Sequence, residues 1–279
     1  MSKTLLLLGG ARYALPVIEA AHELGARVVT CDYLPDNYAH RFSDEYVNVS
    51  IIDKDAVLDA AKRVGADGIM SFAADPGVTS AAWAAEKLDL PFQGSFESVS
   101  ILQDKQRFRS FLRDNGFSCP ELRVFSSADE ASADAAVIQY PVIAKPVDSA
   151  GSKGCTRVDS PKDLRGAVET ALAFSRDGRC IVEQFLEKMG NSSDADAFCS
   201  GGRMSCVSFT SQLFDDSCPN PYTPASYAMP STMPEWPDRT HALPVQIDIG
   251  GLCQTEGLEI FIKLLDAQPL ADLHKSRVA

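Results

Sequence analysis

The sequence lacks the marks of a metal-stapled, secreted or membrane-spanning protein. Its eight cysteines form no Cys-x-x-Cys pair and its four histidines are scattered, so zinc-ligand spacing is absent. No apolar run approaches the roughly 18–20 residues of a membrane helix. The opening Met-Ser-Lys-Thr-Leu-Leu-Leu-Leu-Gly-Gly has too short an apolar stretch for a signal peptide and reads as a first buried strand. Positive charge is scarce: 26 Lys+Arg against 38 Asp+Glu gives a net charge of −12. Such a body is repelled by phosphate backbones and anionic lipid, which argues against nucleic acid and membrane as partners. There is no internal repeat. With 45% hydrophobic and 23% charged residues in a chain of 279, composition excludes a disordered or fibrous protein and allows one large domain or two modest ones. Cysteines inside apolar stretches, as in Arg179-Cys180-Ile181-Val182, read as reduced core thiols of a cytoplasmic protein.

The first hundred residues alternate strand and helix signals. Thr4 to Leu8 is a buried strand ending in Gly9-Gly10, Pro16 to Leu24 a helix stopped by Gly25, and Arg27 to Cys31 a second strand closed by Asp32. A helix from Asp55 to Val64, a third strand from Gly68 to Phe72 and a helix from Gly77 to Leu88 follow. This alternation predicts a doubly wound parallel sheet. From about 100 the pattern changes. Ser100 with Gln103 reads as a capping box opening a helix with Leu102, Phe108, Phe111 and Leu112 on one face, ended by Asn115-Gly116. Next come a strand at Pro141 to Pro146, a return strand near Thr156 to Val158, a helix from Ser160-Pro161 to about Phe174, and a strand from Arg179 to Leu186. A hairpin turning at Gly201-Gly202 precedes a proline-rich irregular segment over 217–238.

Three stretches carry chemistry. Gly9-Gly10 with Asp32 outlines a dinucleotide-binding turn, although Gly-x-Gly-x-x-Gly is missing, so an ordinary strand-to-helix turn competes with it. Asp148-Ser-Ala-Gly-Ser-Lys-Gly is a small-residue loop whose N–H groups suit phosphate oxygens, or else a plain hairpin loop. Lys145, inside Val142-Ile143-Ala144-Lys145-Pro146, either meets an anion or snorkels from an edge strand. In Ile181-Val182-Glu183-Gln184-Phe185-Leu186 an acid stands where strand becomes connector; backbone there suits an adenine edge and leaves Asp194 or Asp196 for ribose hydroxyls. Each acid alone also reads as a solvated loop carboxylate.

In order and approximate spacing, Asp104-Lys105, Tyr140 to Pro146, the Ser149–Gly154 loop and Val182 to Leu186 resemble the ATP-grasp superfamily, in its carboxylate–amine ligase or carbamoyl-phosphate-synthase-like branch. Asn220-Pro221-Tyr222-Thr223-Pro224 and Met229-Pro230-Ser231 extend the likeness to about 235. The resemblance implies an α/β chain: an N-terminal doubly wound parallel-sheet domain over 1–100, then an α+β ATP-grasp module over 101–279 with its nucleotide lid at about 120–180. It implies ATP and Mg²⁺ as cofactors. Lys105 and Lys145 would meet the phosphates or the adenine pocket. Ser149, Gly151, Ser152 and Gly154 would form a loop closing over the phosphates, mobile for want of bulky side chains. Glu183, Gln184, Phe185 and Leu186 would hold adenine, with Asp194 or Asp196 on the ribose.

The implied activity is ADP-forming ligation, in which a carboxylate becomes an acylphosphate and an amine or similar nucleophile attacks it. Small-molecule carboxylate and amine substrates are the implied partners, with a homodimer as the candidate assembly. Catalytic residues and metal ligands are not assigned by the sequence. The family's Glu and Glu-x-Asn-x-Arg-like metal run is not found after Pro237, where Glu256 and Glu259 stand without the Asn and Arg. A noncatalytic nucleotide-binding protein is therefore the alternative, and an NAD-dependent oxidoreductase using Gly9, Gly10 and Asp32 the third reading.

Overall fold

A computed structural model describes residues 2–187, 192–200, 203–218, 220–229 and 231. Among these the chain divides into two compact units, one ending at Gln103 and the other beginning at Asp104. The expectations resting on Glu256, Glu259 and the Gly201-Gly202 turn fall outside the described residues.

The first unit runs β1 (Thr4–Leu8), α1 (Leu15–Glu23), β2 (Arg27–Asp32), β3 (Glu45–Asn48), α2 (Lys54–Val64), β4 (Gly68–Ser71), α3 (Asp75–Leu88) and α4 (Phe96–Gln103). Its sheet is wholly parallel, in the order β3-β2-β1-β4. β1 lies inside and is covered on both faces, which explains its unbroken leucines. Leu6 and Leu8 pack with Val29, Val57 and Ala81 on one side, and Leu7 packs with Ile18 and Val28 on the other. α2 starts where Asp53 Oδ1 accepts the Ala56 N–H at 3.0 Å and stops at Gly65, whose φ of +64° few other residues tolerate. The strand at Glu45–Asn48 is not read from the sequence. It is an edge strand with one buried residue, Val47, and so leaves little apolar signal.

Asp32 is buried, and its carboxylate is committed to the protein's own loops. One oxygen accepts from the Gly10 N–H at 3.0 Å and from Asn37 Nδ2 at 2.9 Å, and the other from the Leu34 N–H at 3.0 Å. The turn after β1 is therefore braced by Asp32, and the ribose role of the oxidoreductase reading finds no free acid there.

The second unit begins with α5 (Lys105–Asp114). It continues through β5 (Leu122–Phe125), α6 (Ala128–Asp134), β6 (Val142–Pro146), β7 (Thr156–Val158), α7 (Pro161–Ala173) and β8 (Cys180–Gln184), then β9 (Ser192–Ser200), β10 (Arg203–Leu213) and β11 (Ser226–Ala228). The cap of α5 differs from the expected one. Ser100 lies within α4, where its Oγ donates to the Phe96 carbonyl at 2.7 Å. Asp104 is the cap, accepting the Arg107 N–H at 2.9 Å. No residue of α5 is buried, so its apolar face is only partly covered among the described residues. Ser160 precedes α7 as expected, but its hydroxyl bonds Asp163 Oδ2 at 2.7 Å and no backbone N–H. The segment over 217–238 is not wholly irregular, because β11 joins β10 within it.

β5, β8, β6 and β7 form an antiparallel sheet in that order. Alternation sorts its residues. Val142, Ala144, Val158, Cys180 and Val182 pack with Leu164, Val168 and Ala171 of α7, forming the core. Lys145 and Glu183 lie on the opposite face, in the register that pairs Ile143 with Glu183 and Lys145 with Ile181. A second antiparallel sheet has the order β11-β10-β9.

Gly10 tests the bracing after β1. An added Cβ would lie 2.9 Å from Asn37 Cβ and collide with the His40 ring. That ring is held at Thr30 Oγ1 (2.9 Å) and the Leu34 carbonyl (3.1 Å), so it cannot yield without losing both contacts. Gly10→Ala should cost about 1–3 kcal/mol, the usual range for overpacking. Urea unfolding checks this; an unchanged midpoint would refute the crowding argument.

Candidate functional site

The face of the β5-β8-β6-β7 sheet opposite α7 gathers charges that the sequence disperses over 74 positions. Lys145 extends from β6 and its ammonium pairs with Glu183 Oε1 on β8, a diagonal neighbour across the strand pair. Arg109 reaches the same carboxylate from α5, with Nε 3.1 Å from Oε2 and Nη2 3.5 Å from Oε1. Side-chain exposure is 6% for Glu183, 15% for Lys145 and 22% for Arg109. Burial alone would raise the Glu183 carboxyl, but Lys145 and then Arg109 overcome it and hold the group below the ordinary glutamate range. Glu183 is therefore inside the strand as an ionised, doubly paired carboxylate, and not the connector acid expected from the sequence.

Lys105, at the first turn of α5, sits one turn before Arg109 on the same helix face. Its backbone N–H donates to the Val147 carbonyl at 2.9 Å and its ammonium to the Ser149 carbonyl at 2.7 Å. Burial, then the like charge of Lys145, lowers the Lys105 ammonium from its usual value. A half-buried ammonium lowered beside a second lysine makes a locus an anion would relieve. Cys155, which ends the loop, lies in the field of both lysines, although burial pushes its thiol up. The start of α5 is fixed further by Arg179, which donates to Asp104 Oδ2 at 2.6 Å and also to Gln106.

The loop between β6 and β7 turns through three left-handed residues: Gly151 at φ +67°, Ser152 at +55° and Gly154 at +70°. Gly154 is obligatory for a second reason. A Cβ there would lie 3.0 Å from Phe174 and 3.1 Å from Pro146. The loop is better anchored than its composition suggests. Asn220 Nδ2 donates to the Ser152 carbonyl at 3.0 Å, and Ser152 Oγ to the Tyr222 carbonyl at 2.9 Å. At its base, Asp148 accepts N–H groups from Arg176 (2.9 Å) and Asp177 (3.1 Å). Few contacts are expected of a loop without bulky apolar side chains, and these ties are polar. Its partners come from a segment about 70 residues away that sequence periodicity does not connect to it.

The structure brings Lys105, Lys145, Ser149 and Glu183 together, and adds Arg109, which the sequence reading missed. Its spacing of four from Lys105 on a helix was the available signal. Gln184 and Phe185 lie just beyond, but their N–H groups are taken by the carbonyls of Glu121 (2.9 Å) and Pro141 (3.1 Å). The Phe185 ring lies under the Arg157 guanidinium at 4.5 Å, and Leu186 is exposed. Asp194 and Asp196 stand on β9 opposite Thr210 and Ser208. A cavity of about 810 Å³ opens beside Gln184 and Phe185, lined also by Phe117, Tyr140, Val142 and Val182; it includes none of Lys105, Lys145 or Glu183. Among the described residues no three His, Cys, Asp or Glu side chains converge as metal ligands. The five described free cysteines form no disulfide among themselves, and no described helix is long and apolar enough to cross a membrane.

Residues 104–191 match the family described as carbamoyl-phosphate synthase L chain, ATP binding domain. The chain is 28% identical over 191 residues to a formate-dependent phosphoribosylglycinamide formyltransferase of Parasynechococcus marenigrum, covering 66% of this chain and 48% of that protein. It is 29% identical over 171 residues to a carbamoyl phosphate synthase large chain of Pseudothermotoga lettingae, covering 60% of this chain and 15% of that one. Among solved structures, the biotin carboxylase domain of a Hydrogenobacter thermophilus 2-oxoglutarate carboxylase, in complex with MgADP, ADP and bicarbonate, aligns with a TM-score of 0.70 at 17% identity, over 96% of this chain and 58% of that one. An N5-carboxyaminoimidazole synthetase from Staphylococcus aureus complexed with ADP aligns at 0.68 and 16% identity, over 96% and 65% of the two chains. The chain thus spans about half the length of the formyltransferases it matches.

The Glu183 pairing has a measurable consequence. Glu183→Ala would leave two half-buried cations facing one another, and should cost about 3 kcal/mol, the low end for breaking a buried pair because both cations retain some solvent. The folded-state pKa of Glu183 lies below its unfolded value, so its stabilisation is full above the unfolded pKa near 4.3 and is lost as pH falls through the lower folded one. Glu183→Gln should flatten that acid limb of a denaturation-versus-pH curve. Parallel curves for the two proteins would contradict the pairing.

Proposed function

We propose that this chain, which has the ATP-grasp fold, binds an adenine nucleotide on the Lys105–Lys145 face and acts as an ADP-forming carboxylate–amine ligase. The observation that carries this reading is the convergence of Lys105, Lys145 and Arg109 beside the left-handed Ser149–Gly154 loop. Three cations face one glutamate there, a surplus suited to triphosphate. The named relatives, which include ADP and MgADP complexes, support the same class.

In the reaction a carboxylate oxygen attacks the γ-phosphorus, ADP departs with the bridging oxygen's electron pair, and the amine nitrogen then attacks the acyl carbon to expel phosphate. Phosphoryl transfer asks the protein mainly to position groups and to offset charge. Lys105, its ammonium already fixed at the Ser149 carbonyl, and Lys145 would hold phosphate oxygens. The loop from Ser149 through Gly151, Ser152 and Gly154 would shield them from water. Gln184 to Leu186 would border adenine, and Asp194 or Asp196 would take the ribose. Mg²⁺, when bound with the nucleotide, would offset phosphate charge, and no described residue is assigned to it. The carboxylate and the amine are small molecules, consistent with a cytoplasmic enzyme.

Lys145→Ala should weaken ATP binding by about 1.5–3 kcal/mol, the usual worth of a hydrogen bond to a charged group, at an unchanged fold. Calorimetry with ATP, ADP, GTP and NAD, each with and without Mg²⁺, reads affinity and class together. Equal affinity for Lys145→Ala would remove that lysine from the site, and no adenine nucleotide binding would overturn the reading. Phosphate release that requires both a carboxylate and an amine, screened over a panel of each, separates the ligase from a noncatalytic nucleotide binder.

In the same samples, hydrogen exchange should slow across 148–155 when ATP binds. Among the described residues the loop's outer ties run to Asn220, Tyr222 and Thr223, and nucleotide would add contacts on the other side. Equal protection in both states would count against closure over the phosphates.

A further inference from the structure

The nucleotide reading requires Lys145 to serve a phosphate, yet in the structure its ammonium is paired with Glu183. If Lys145 turned away with no other partner present, a nearly buried carboxylate would be left uncompensated, which opposes the movement. Arg109 changes that balance. Its guanidinium donates to both oxygens of Glu183, from a helix on which Lys105 occupies the preceding turn. Arg109 is engaged with Glu183, whereas Lys105 is tied directly to the Ser149–Gly154 loop. The three cations therefore divide into two that can face an incoming anion and one that faces the protein's own carboxylate.

We propose that Arg109 is a positioning residue that retains Glu183 so that Lys145 is released to the nucleotide's phosphates. The assignment rests on the proposed nucleotide site and deepens it. It is geometric: the guanidinium fork spans both carboxylate oxygens, while the ammonium of Lys145 contacts one. The groups facing Glu183 are Arg109 and Lys105 from α5, Lys145 from β6 and the Cys155 thiol from the loop. Of these only Arg109 and Lys145 touch its carboxylate in the described contacts.

The test is a double-mutant cycle read by calorimetric ATP binding, with thermal unfolding beside it as the check on fold. Arg109→Ala should weaken ATP binding about tenfold or more, because release of Lys145 now exposes a lone buried charge. Arg109→Lys should recover part of the loss. In a Glu183→Gln background, which has no charge to strand, adding Arg109→Ala should change affinity by less than about twofold. A purely structural role, or direct contact between Arg109 and nucleotide, would give the same loss in both backgrounds and overturn the proposal; so would wild-type affinity in Arg109→Ala. If Arg109→Ala does not fold, the comparison of Glu183→Gln with the double variant decides alone: equal affinity supports the proposal, and a further tenfold loss defeats it. Wild-type protein that binds no ATP overturns the nucleotide reading itself, whereas wild-type binding that Lys145→Ala weakens and Arg109→Ala leaves intact overturns only the role of Arg109.

Discussion

One buried carboxylate organises the second unit. Glu183 is enclosed by the sheet, and an ionised group there persists only because Lys145 and Arg109 bring positive charge from a neighbouring strand and from α5. That pairing fixes where β6 and β8 present the residues that face away from α7, and holds α5 on that side of the sheet. Lys105 shares the α5 face with Arg109 and so is carried to the loop after β6. The interaction is a weak source of stability, since an apolar replacement of similar volume would serve a fold as well. What it provides is a concentration of cations beside a loop whose backbone has already adopted left-handed turns.

Much of this arrangement is legible in the sequence, and the legible parts share a cause. Elements buried on one or both faces announce themselves: the leucines of β1, the alternation of Val142, Ala144 and Pro146, and the stripe of Leu164, Val168 and Ala171. Gly25, Gly65 and Gly116 stop helices because few other residues adopt their positive φ. What escaped the reading was polar and long-range. β3 buries a single residue, and β11 hides in a proline-rich stretch. Asp104 replaced Ser100 as a cap because both residues precede helical patterns, and only tertiary contacts, such as the bond from Arg179 to Asp104, mark which one the chain breaks at. Arg109 lay in plain view on the helix but had no visible partner until β8 was set beside β6.

The two units use an acid in contrasting ways. In the first, Asp32 meets backbone N–H groups and an amide, so among the described contacts it braces a turn without an ion pair. In the second, Asp104 caps a helix with one oxygen and binds Arg179 with the other, tying α5 to the residue that precedes β8. The same residue type therefore seals a loop in one place and fastens a helix to a sheet in the other. Neither role shows in composition or charge count, because each depends on donors supplied from elsewhere in the chain.

The strands at the margins of the two four-stranded sheets bear on how the protein behaves in crowded solution. β3, β4 and β5 have four residues each and β7 has three, while the strands between them have five or six. Among the described strands β3, β4, β5 and β7 are the edges of these sheets, and edges of that length offer another chain few unpaired N–H and C=O groups to continue the ladder. Strand-to-strand polymerisation is thereby discouraged on these sheets without recourse to proline or to bulges. The high acidity of the chain works in the same direction, since copies carrying like charge repel one another before any edge is within reach.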